Sequence, residues 1–211
     1  MKVGVLDYGV GNLGSVLRAL EELHATPLLI DRAIAAHQAD ALILPGVGGF
    51  AECKQILDKG GWSETIREEV LAYKKPLLGI CLGMQLLADF GEEGACAGQP
   101  TPGLGLIPGR VVGLRSLGCS ARIPHVGWNS ISVRGDNSLF DGIPDGTDFY
   151  FVHSYAFIPE SGDDVIAVTD YSLNVTAAVA RDNVWGTQFH PEKSSRAGFR
   201  LLKNFILGLQ C

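Results

Sequence analysis

The sequence predicts an α/β fold with three layers, in which a central, mostly parallel sheet is flanked by helices and extended by antiparallel strands in the C-terminal half. Two observations predict it. The first half of the 211-residue chain alternates short apolar runs with helical patterns, as βαβ units do. The second half holds a series of strand-like runs separated by Gly, Pro, Asp and Asn turns. We expect one domain over residues 1–211.

The first half is predicted to alternate strand and helix. Its strands are continuous in Val, Ile and Leu, as expected for parallel strands covered on both faces, and they fall at residues 3–6, 28–30, 41–44 and 77–80. Helical spacing of apolar residues predicts helices at residues 13–23, 50–57, 66–73 and 84–90. A ligand site is expected where the parallel strands end.

The second half is predicted to add largely antiparallel strands. These fall at residues 110–114, 131–133, 149–157, 165–169, 177–180 and 184–189, with a hairpin turn at 181–183. A last amphipathic helix is predicted at residues 196–209, and the Gly- and Pro-rich segment 91–108 is predicted to be a long loop.

The composition argues against several functional classes. Asp and Glu number 23 against 17 Lys and Arg, the net charge is −6, and no basic run is present, which disfavours a nucleic-acid partner. The five cysteines form no C-x-x-C pair, so we expect neither a disulfide framework nor a metal site, and a reducing cytoplasm as the location. No apolar run approaches the ~20 residues of a membrane span, so we expect a soluble protein.

One cysteine stands in a pattern that predicts chemistry. Cys81 lies between Gly79 and Gly83 where a strand passes into a helix, which is the G-x-[nucleophile]-x-G elbow with Cys in the nucleophile position. Such a turn strains the backbone of the nucleophile, and residues without a Cβ allow the close packing it needs. The N-terminus of the following helix favours a thiolate. A free cysteine is more often a buried core residue, and that role is expected for the others, Cys53, Cys96, Cys119 and Cys211.

A base for this nucleophile is predicted in the segment His190-Pro191-Glu192. In an extended chain residues i and i+2 point the same way, so Glu192 can orient the imidazole of His190 toward Cys81. A lone His-x-Glu is weak evidence, but an elbow cysteine upstream strengthens it.

Acyl transfer also needs hydrogen-bond donors for the oxyanion. The Gly-rich turn at residues 45–49 follows the strand 41–44, so the N–H groups of Val47 and Gly48 can join that of Leu82 in an oxyanion hole. A plain βα turn is an equally good interpretation of this segment by itself.

Three motifs together resemble the class I (triad) glutamine amidotransferase family. They are Pro45-Gly46-Val47-Gly48, Gly79-Ile80-Cys81-Leu82-Gly83-Met84-Gln85 and His190-Pro191-Glu192, and the resemblance runs along the whole chain. It implies a flavodoxin-like sheet, no cofactor and hydrolysis of glutamine. In that reaction Cys81 forms a thioester, His190 protonates the departing ammonia, and water releases glutamate.

The segments 7–13, 124–129, 151–155 and 190–194 further resemble the glutaminase subunits of imidazole glycerol phosphate synthases of histidine biosynthesis. This implies a heterodimer with the cyclase subunit, a (β/α)₈ barrel that receives the ammonia. The resemblance assigns glutamine binding to Gly46, Gly48, Gln85, Ser154 and Tyr155. It assigns the partner interface to Asn12, Trp128, Asn129, Tyr150 and Lys193.

Four alternatives stay open at this point. Residues 9–14 form a G-x-G-x-x-G after the first strand, with Asp31 ending the second strand, which taken alone indicates dinucleotide binding. The same triad suits a cysteine hydrolase of peptides or small amides. A metal module of Cys81, His125, His153 and His190 lacks ligand-like spacing. Within the family, the glutaminase subunit of pyridoxal phosphate synthase is the near alternative.

Overall fold

A computed structural model describes residues 1–95 and 99–208 of the chain. The strands are β1 (Lys2–Leu6), β2 (Thr26–Ile30), β3 (Ala41–Gly46), β4 (Leu77–Cys81), β5 (Phe90–Gly91), β6 (Thr101–Pro102), β7 (Gly109–Gly113), β8 (His125–Val133), β9 (Asp148–His153), β10 (Tyr155–Pro159), β11 (Val165–Asp170), β12 (Asn174–Arg181) and β13 (Val184–Thr187). The α-helices are α1 (Leu13–Glu22), α2 (Phe50–Lys59), α3 (Trp62–Arg67), α4 (Leu82–Gln85) and α5 (Ser195–Leu207). Within these described ranges, no helix has the length and apolar character needed to cross a bilayer.

The large sheet has nine strands in the order β2-β1-β3-β4-β13-β12-β11-β8-β9. Strands β2, β1, β3, β4 and β13 are parallel, and the pairs from β13 to β9 are antiparallel. The predicted combination of a parallel sheet with added antiparallel strands is therefore confirmed. The order β2-β1-β3-β4 is that of flavodoxin-like sheets and differs from the 3-2-1-4 order of dinucleotide-binding folds.

Successive side chains of the buried strands pack in two different cores, one on each face of the sheet. In β3, Leu42 and Leu44 pack in a core that includes side chains of α2 and α3. Ala41 and Ile43 of the same strand pack in a second core with side chains of α1 and α5. The three predicted layers follow from this alternation, because successive side chains of a strand point to opposite faces.

The predicted strand at 149–157 is wrong, because the chain changes sheets at Ser154. Strand β9 pairs with β8 at the edge of the large sheet, whereas β10 joins a second sheet in the order β10-β7-β5-β6. The carbonyl of Ser154 accepts a hydrogen bond from the N–H of Leu114, at 2.9 Å, where the two sheets meet.

The predicted helix at 84–90 is also wrong, since α4 comprises only one turn. A later segment takes the carbonyl groups that would have extended it. The N–H of Leu104 donates to the carbonyl of Leu86 at 2.8 Å, and that of Gly103 donates to Asp89 at 2.7 Å. The segment predicted as the long loop 91–108 thus includes β6 and this contact, while residues 96–98 lie outside the described ranges.

The remaining predicted helices and strands are observed, with different end residues. The helix predicted at 66–73 begins at Trp62, and its last turn, Glu68–Ala72, is π-helical. The hairpin turn is confirmed by the pairing of Arg181 with Val184. The last helix is observed at Ser195–Leu207, and Leu209, its predicted end, lies outside the described residues.

Candidate active site

Cys81 occupies the sharp corner between β4 and α4, as the elbow motif predicts. Its φ is 56° and its ψ is −111°, a conformation that is strained for any residue with a side chain. The two flanking glycines permit it. A Cβ on Gly83 would lie 1.8 Å from the carbonyl oxygen of Leu44, and one on Gly79 would lie 2.6 Å from that of Gly83.

The sulfur of Cys81 faces polar groups although the side chain is only 7% exposed. Its Sγ lies 3.7 Å from the carbonyl oxygen of Val152 and 3.7 Å from Nε2 of Gln188, which donates to it. The helix that follows Cys81, α4, has only four residues, so its dipole is smaller than the sequence suggested.

His190 and Glu192 are in contact, but the backbone between them does not have the predicted extended conformation. Nδ1 of His190 lies 2.8 Å from Oε1 of Glu192, and both side chains are almost fully buried. The expectation of an extended His190-Pro191-Glu192 segment is wrong, since residues Pro191–Lys193 form a 3₁₀ turn. Proline fixes φ near −65°, which suits the start of such a turn, and the turn still brings the two side chains together.

The electrostatics of His190 connect it with Cys81. Burial by itself lowers the pKa of the imidazole, but interaction with Cys81 and Glu192 and their negative charges reverse this, so the pKa rises to about 9. Nε2 of His190 has no well-aligned hydrogen-bond partner among the described residues, and it is the nitrogen left to address the sulfur. Catalytic hydrogen bonds of this kind tighten when substrate binds.

The turn that carries His190 is fastened to the edge of β9. The N–H of His190 donates to the carbonyl of Tyr150 at 2.9 Å. The buried hydroxyl of Ser194 accepts from the N–H of Tyr150 at 3.0 Å and donates to the carbonyl of His190 at 2.6 Å. Strand β9 therefore fixes the position of His190.

The Gly-rich turn lies beside Cys81, because Gly46 at the end of β3 pairs with Cys81 in the parallel register. Two buried side chains hold the turn. The hydroxyl of Tyr8 donates to the carbonyl of Pro45 at 3.0 Å, and the thiol of Cys53 donates to that of Val47 at 3.2 Å. The carbonyl and N–H of one peptide point in opposite directions, so the N–H of Gly48 is directed away from Cys53.

The buried role expected for Cys53 and Cys119 is confirmed, each being 1% exposed. Burial raises the pKa of Cys53 to about 11, although its hydrogen bond with Tyr8 opposes this, so Cys53 is a thiol at neutral pH. Cys96 and Cys211 lie outside the described residues.

The glutamine-binding candidates Gln85, Ser154 and Tyr155 lie near one another. Nε2 of Gln85 donates to the carbonyl of Tyr155 at 3.1 Å and to Oε1 of Gln188 at 2.9 Å. Gln188 received no role from the sequence, yet it touches both Gln85 and Cys81. Its spacing of two residues from His190, directly after a predicted strand, was the signal that could have found it, since residues i and i+2 of an extended chain point the same way.

Glu93 is a second residue without a predicted role. Its carboxylate accepts from the N–H of Phe50 at 2.9 Å, directly after the Gly-rich turn, and burial raises its pKa. Burial first, and then the negative charge of Glu93, raise the pKa of Tyr155. The sequence carried no signal for it, because acidic residues in Gly-rich segments are usually solvated.

The interface candidates fall into two groups. Trp128 and Tyr150 face each other on paired strands, with ring centroids 6.1 Å apart, and Val126 and Val152 pair beside them. These four residues form an apolar surface, the β8–β9 patch, in which Val126 and Trp128 are each 54% exposed. Asn129 belongs to the opposite face of β8, since strand residues alternate.

The other two interface candidates lie on neighbouring elements. Asn12 precedes α1, which packs against the 3₁₀ turn that contains Lys193. Lys193 is exposed and Asn12 is half-buried.

The structure disfavours two of the alternatives. The third glycine of a dinucleotide fingerprint allows close packing of helix on strand, but a Cβ on Gly14 would have no neighbour within 4 Å. Asp31 is exposed. Over residues 1–95 and 99–208, no group of three or more His, Cys, Asp and Glu side chains is arranged to hold a metal.

The fold and the site together define a class of α/β enzymes with a cysteine elbow and a buried His–Glu pair at the carboxyl edge of a flavodoxin-like sheet. The sequence profile "Glutamine amidotransferase class-I" matches residues 4–209. The chain belongs to this family of glutamine amidotransferase enzymes.

Individual relatives are similar over nearly their whole length. "Imidazole glycerol phosphate synthase subunit HisH" of Brucella abortus (strain 2308) is 45% identical, with 98% of each chain covered. "Imidazole glycerol phosphate synthase subunit HisH 2" of Pseudomonas aeruginosa is 44% identical, covering 96% of this chain and 97% of its own. The crystal structure of a glutamine amidotransferase matches with a TM-score of 0.75 at 22% identity, over 99% of both chains, which shows the shared fold.

Proposed function

We propose that this chain is the glutamine-hydrolysing subunit of imidazole glycerol phosphate synthase, built as one domain and working in the cytoplasm, where its free thiols stay reduced. Relatives with that name, 44% and 45% identical over nearly the full chain, support the choice of synthase. The observation that carries the chemistry is the strained Cys81 beside His190, whose pKa both Cys81 and Glu192 help to raise.

The reaction follows from these three residues. The Cys81 thiolate attacks the carboxamide carbon of glutamine, and the C–N bond breaks as the His190 imidazolium gives its proton to the departing ammonia. A thioester to Cys81 remains. His190, now neutral, takes a proton from water as the water attacks the thioester, and glutamate leaves with the thiolate restored. Glu192 holds the imidazole and stabilises its charged form.

The oxyanion of both tetrahedral intermediates is stabilised by the N–H groups of Val47, Gly48 and Leu82. The parallel pairing of Gly46 with Cys81 supports this, since it brings the Gly-rich turn to the nucleophile. The hydrogen bond from Cys53 to the Val47 carbonyl orients the turn.

Glutamine is held at its amino-acid end by Gly46, Gly48, Gln85, Ser154 and Tyr155. Both contacts of Gln85 use Nε2, which leaves its carbonyl Oε1 to accept from a ligand. We add Glu93 to this set, because a half-buried carboxylate at the end of the Gly-rich turn suits the α-ammonium group of the substrate.

The release of ammonia requires a partner protein. Ammonia is mostly protonated in neutral water and is then no nucleophile, so it must pass into a sealed space. The β8–β9 patch suits an interface, as large exposed apolar surfaces usually do. It also adjoins the site, because the carbonyl of Val152 touches Cys81 and Tyr150 holds the His190 turn. The partner in this proposal is the (β/α)₈ cyclase subunit, in a heterodimer.

The test is a comparison of two nitrogen sources in the complex of this chain with a barrel cyclase. Cys81→Ala should abolish synthesis from glutamine and leave synthesis from added ammonium unchanged. Cys119→Ala, a buried cysteine away from the triad, serves as the matched control and should keep both. Loss of both activities in Cys81→Ala, or failure of the wild-type chain to form a one-to-one complex, would overturn the proposal.

The buried site also bears on regulation. Cys81 is 7% exposed and His190 is 2% exposed, so we expect part of the site to move when glutamine binds. We expect the isolated chain to hydrolyse glutamine slowly and the partner with its ligand to accelerate it. High glutaminase activity of the isolated chain would contradict this.

A further inference from the structure

Two buried histidines outside the triad lie beside the glutamine-binding end of the site. His125 is 3% exposed and His153 is 6% exposed. Nδ1 of His125 lies 2.9 Å from Nε2 of His153, and Nδ1 of His153 lies 2.9 Å from the carbonyl oxygen of Tyr155. Neither imidazole has a role in the reaction derived above.

The hydrogen bonds allow one arrangement of protons for the neutral pair. The Tyr155 carbonyl can only accept, so Nδ1 of His153 carries the proton and its Nε2 accepts. Nδ1 of His125 must then donate, and Nε2 of His125 accepts from Nδ2 of Asn129, at 3.3 Å. Burial lowers the pKa of each imidazole to about 4, so both are neutral at pH 7.

Stacking fixes the plane of the first ring. The centroid of His125 lies 3.8 Å from that of Tyr171 and 4.8 Å from that of Phe151, with nearly parallel planes in both pairs. The ring therefore has little freedom to turn away from His153.

The pair connects with the catalytic sulfur through a shared acceptor. The carbonyl of Tyr155 that accepts from His153 also accepts from Nε2 of Gln85, at 3.1 Å. The same Nε2 donates to Gln188, which in turn donates to Cys81. A shift of the Tyr155 carbonyl would therefore displace the Gln85 amide.

We propose that His153, held in one tautomer by His125, is a positioning residue that fixes the Tyr155 carbonyl and through it the Gln85 amide that binds glutamine. This inference rests on the proposed function and adds to it the residues that set the affinity for glutamine. Disturbing the pair should raise KM for glutamine more than it lowers kcat, since neither ring touches the reacting atoms.

Two substitutions of His153 separate its two hydrogen bonds. In His153→Asn, the amide nitrogen takes the place of Nδ1 and keeps the bond to Tyr155. In His153→Gln, the longer side chain reaches the place of Nε2. It therefore keeps the hydrogen bond from His125 but loses the one to the Tyr155 carbonyl. We expect KM for glutamine to stay within about twofold in His153→Asn and to rise about fivefold or more in His153→Gln, as for the loss of one hydrogen bond.

A second pair at position 125 decides the matter if a variant at 153 does not fold. His125→Asn can still donate to His153 from the place of Nδ1, whereas His125→Phe keeps the stacking and removes the donor. KM should rise in His125→Phe and remain close to the wild-type value in His125→Asn.

The measurements are glutamine-dependent turnover, ammonium-dependent turnover and thermal unfolding of each complex with the cyclase. Ammonium-dependent turnover should be unchanged in all variants. Equal KM increases within each pair, or an effect on kcat alone, would overturn the positioning role while leaving the proposed function intact. A wild-type complex that does not use glutamine would instead refute the proposed function.

Discussion

Ser194→Ala tests how the base is held in place. The hydroxyl of Ser194, 1% exposed, joins the N–H of Tyr150 to the carbonyl of His190. The substitution removes two hydrogen bonds and leaves the N–H of Tyr150 buried without a partner. At about 1 kcal/mol for each bond, with a further cost for the unpaired group, we expect a loss of about 3 kcal/mol in the free energy of unfolding. For a chain of this size that lowers Tm by about 6–12 °C.

The assay combines thermal unfolding with turnover of the complex. Glutamine-dependent kcat should fall because His190 is less firmly held, and ammonium-dependent turnover should not change. Ser132→Ala, an exposed serine on β8, is the control and should alter stability by less than about 0.5 kcal/mol. A Ser194→Ala variant with the Tm and kcat of the wild type would refute this account of the His190 turn.

Three further outcomes are expected. The pKa of His190, about 9 when folded against an ordinary 6.5, gives a stabilisation that is full below pH 6.5 and lost as the pH rises through 9. In urea unfolding, the difference in free energy of unfolding between the wild type and Glu192→Gln should therefore decrease from pH 6.5 to 9. An increase of this difference would refute the stabilisation of the charged imidazole. Gly83→Ala should destabilise the fold by about 3 kcal/mol or more through its clash with the β3 backbone, whereas Gly14→Ala, with open space around it, should be neutral or stabilising by about 0.5 kcal/mol, and equal effects would count against the packed elbow. Cys53, with a pKa of about 11, should resist iodoacetamide at pH 8 in peptide mapping, and rapid alkylation there would show that its burial is wrong.

Local signals predicted the parallel half of the fold and the elbow. The strands β1, β3 and β4 are nearly continuous apolar runs, and the Gly-x-Cys-x-Gly pattern lies within one short strand–turn–helix segment, although the contact that requires Gly83 comes from Leu44 in β3. Such features depend on residues close in sequence, so the sequence by itself contains them.

Non-local contacts account for what the sequence did not predict. The split of the run 149–157 depends on which strands lie beside β9 and β10, and apolar alternation carries no information on partners. The helix α4 ends after a single turn because a later segment binds its last carbonyl groups: the N–H of Leu104 donates to the carbonyl of Leu86. Tertiary contacts override helix propensity in such a case.

In the candidate site, too, local motifs could be predicted and non-local contacts could not. Cys81, His190 and Glu192 stand in short motifs and could be predicted from the sequence, whereas Gln188 and Glu93 become site candidates only through contacts across the fold. The pairing of Trp128 with Tyr150 likewise needed the register of two strands.

The most direct test of the central claim is covalent labelling of the complex by a diazoketone analogue of glutamine, followed by peptide mass spectrometry. A thiolate that attacks the carboxamide carbon should give one adduct for each chain, located on Cys81, prevented by excess glutamine and missing from Cys81→Ala. An adduct on Cys53 or Cys119, or a wild-type complex that hydrolyses glutamine while Cys81 stays unlabelled, would contradict the account.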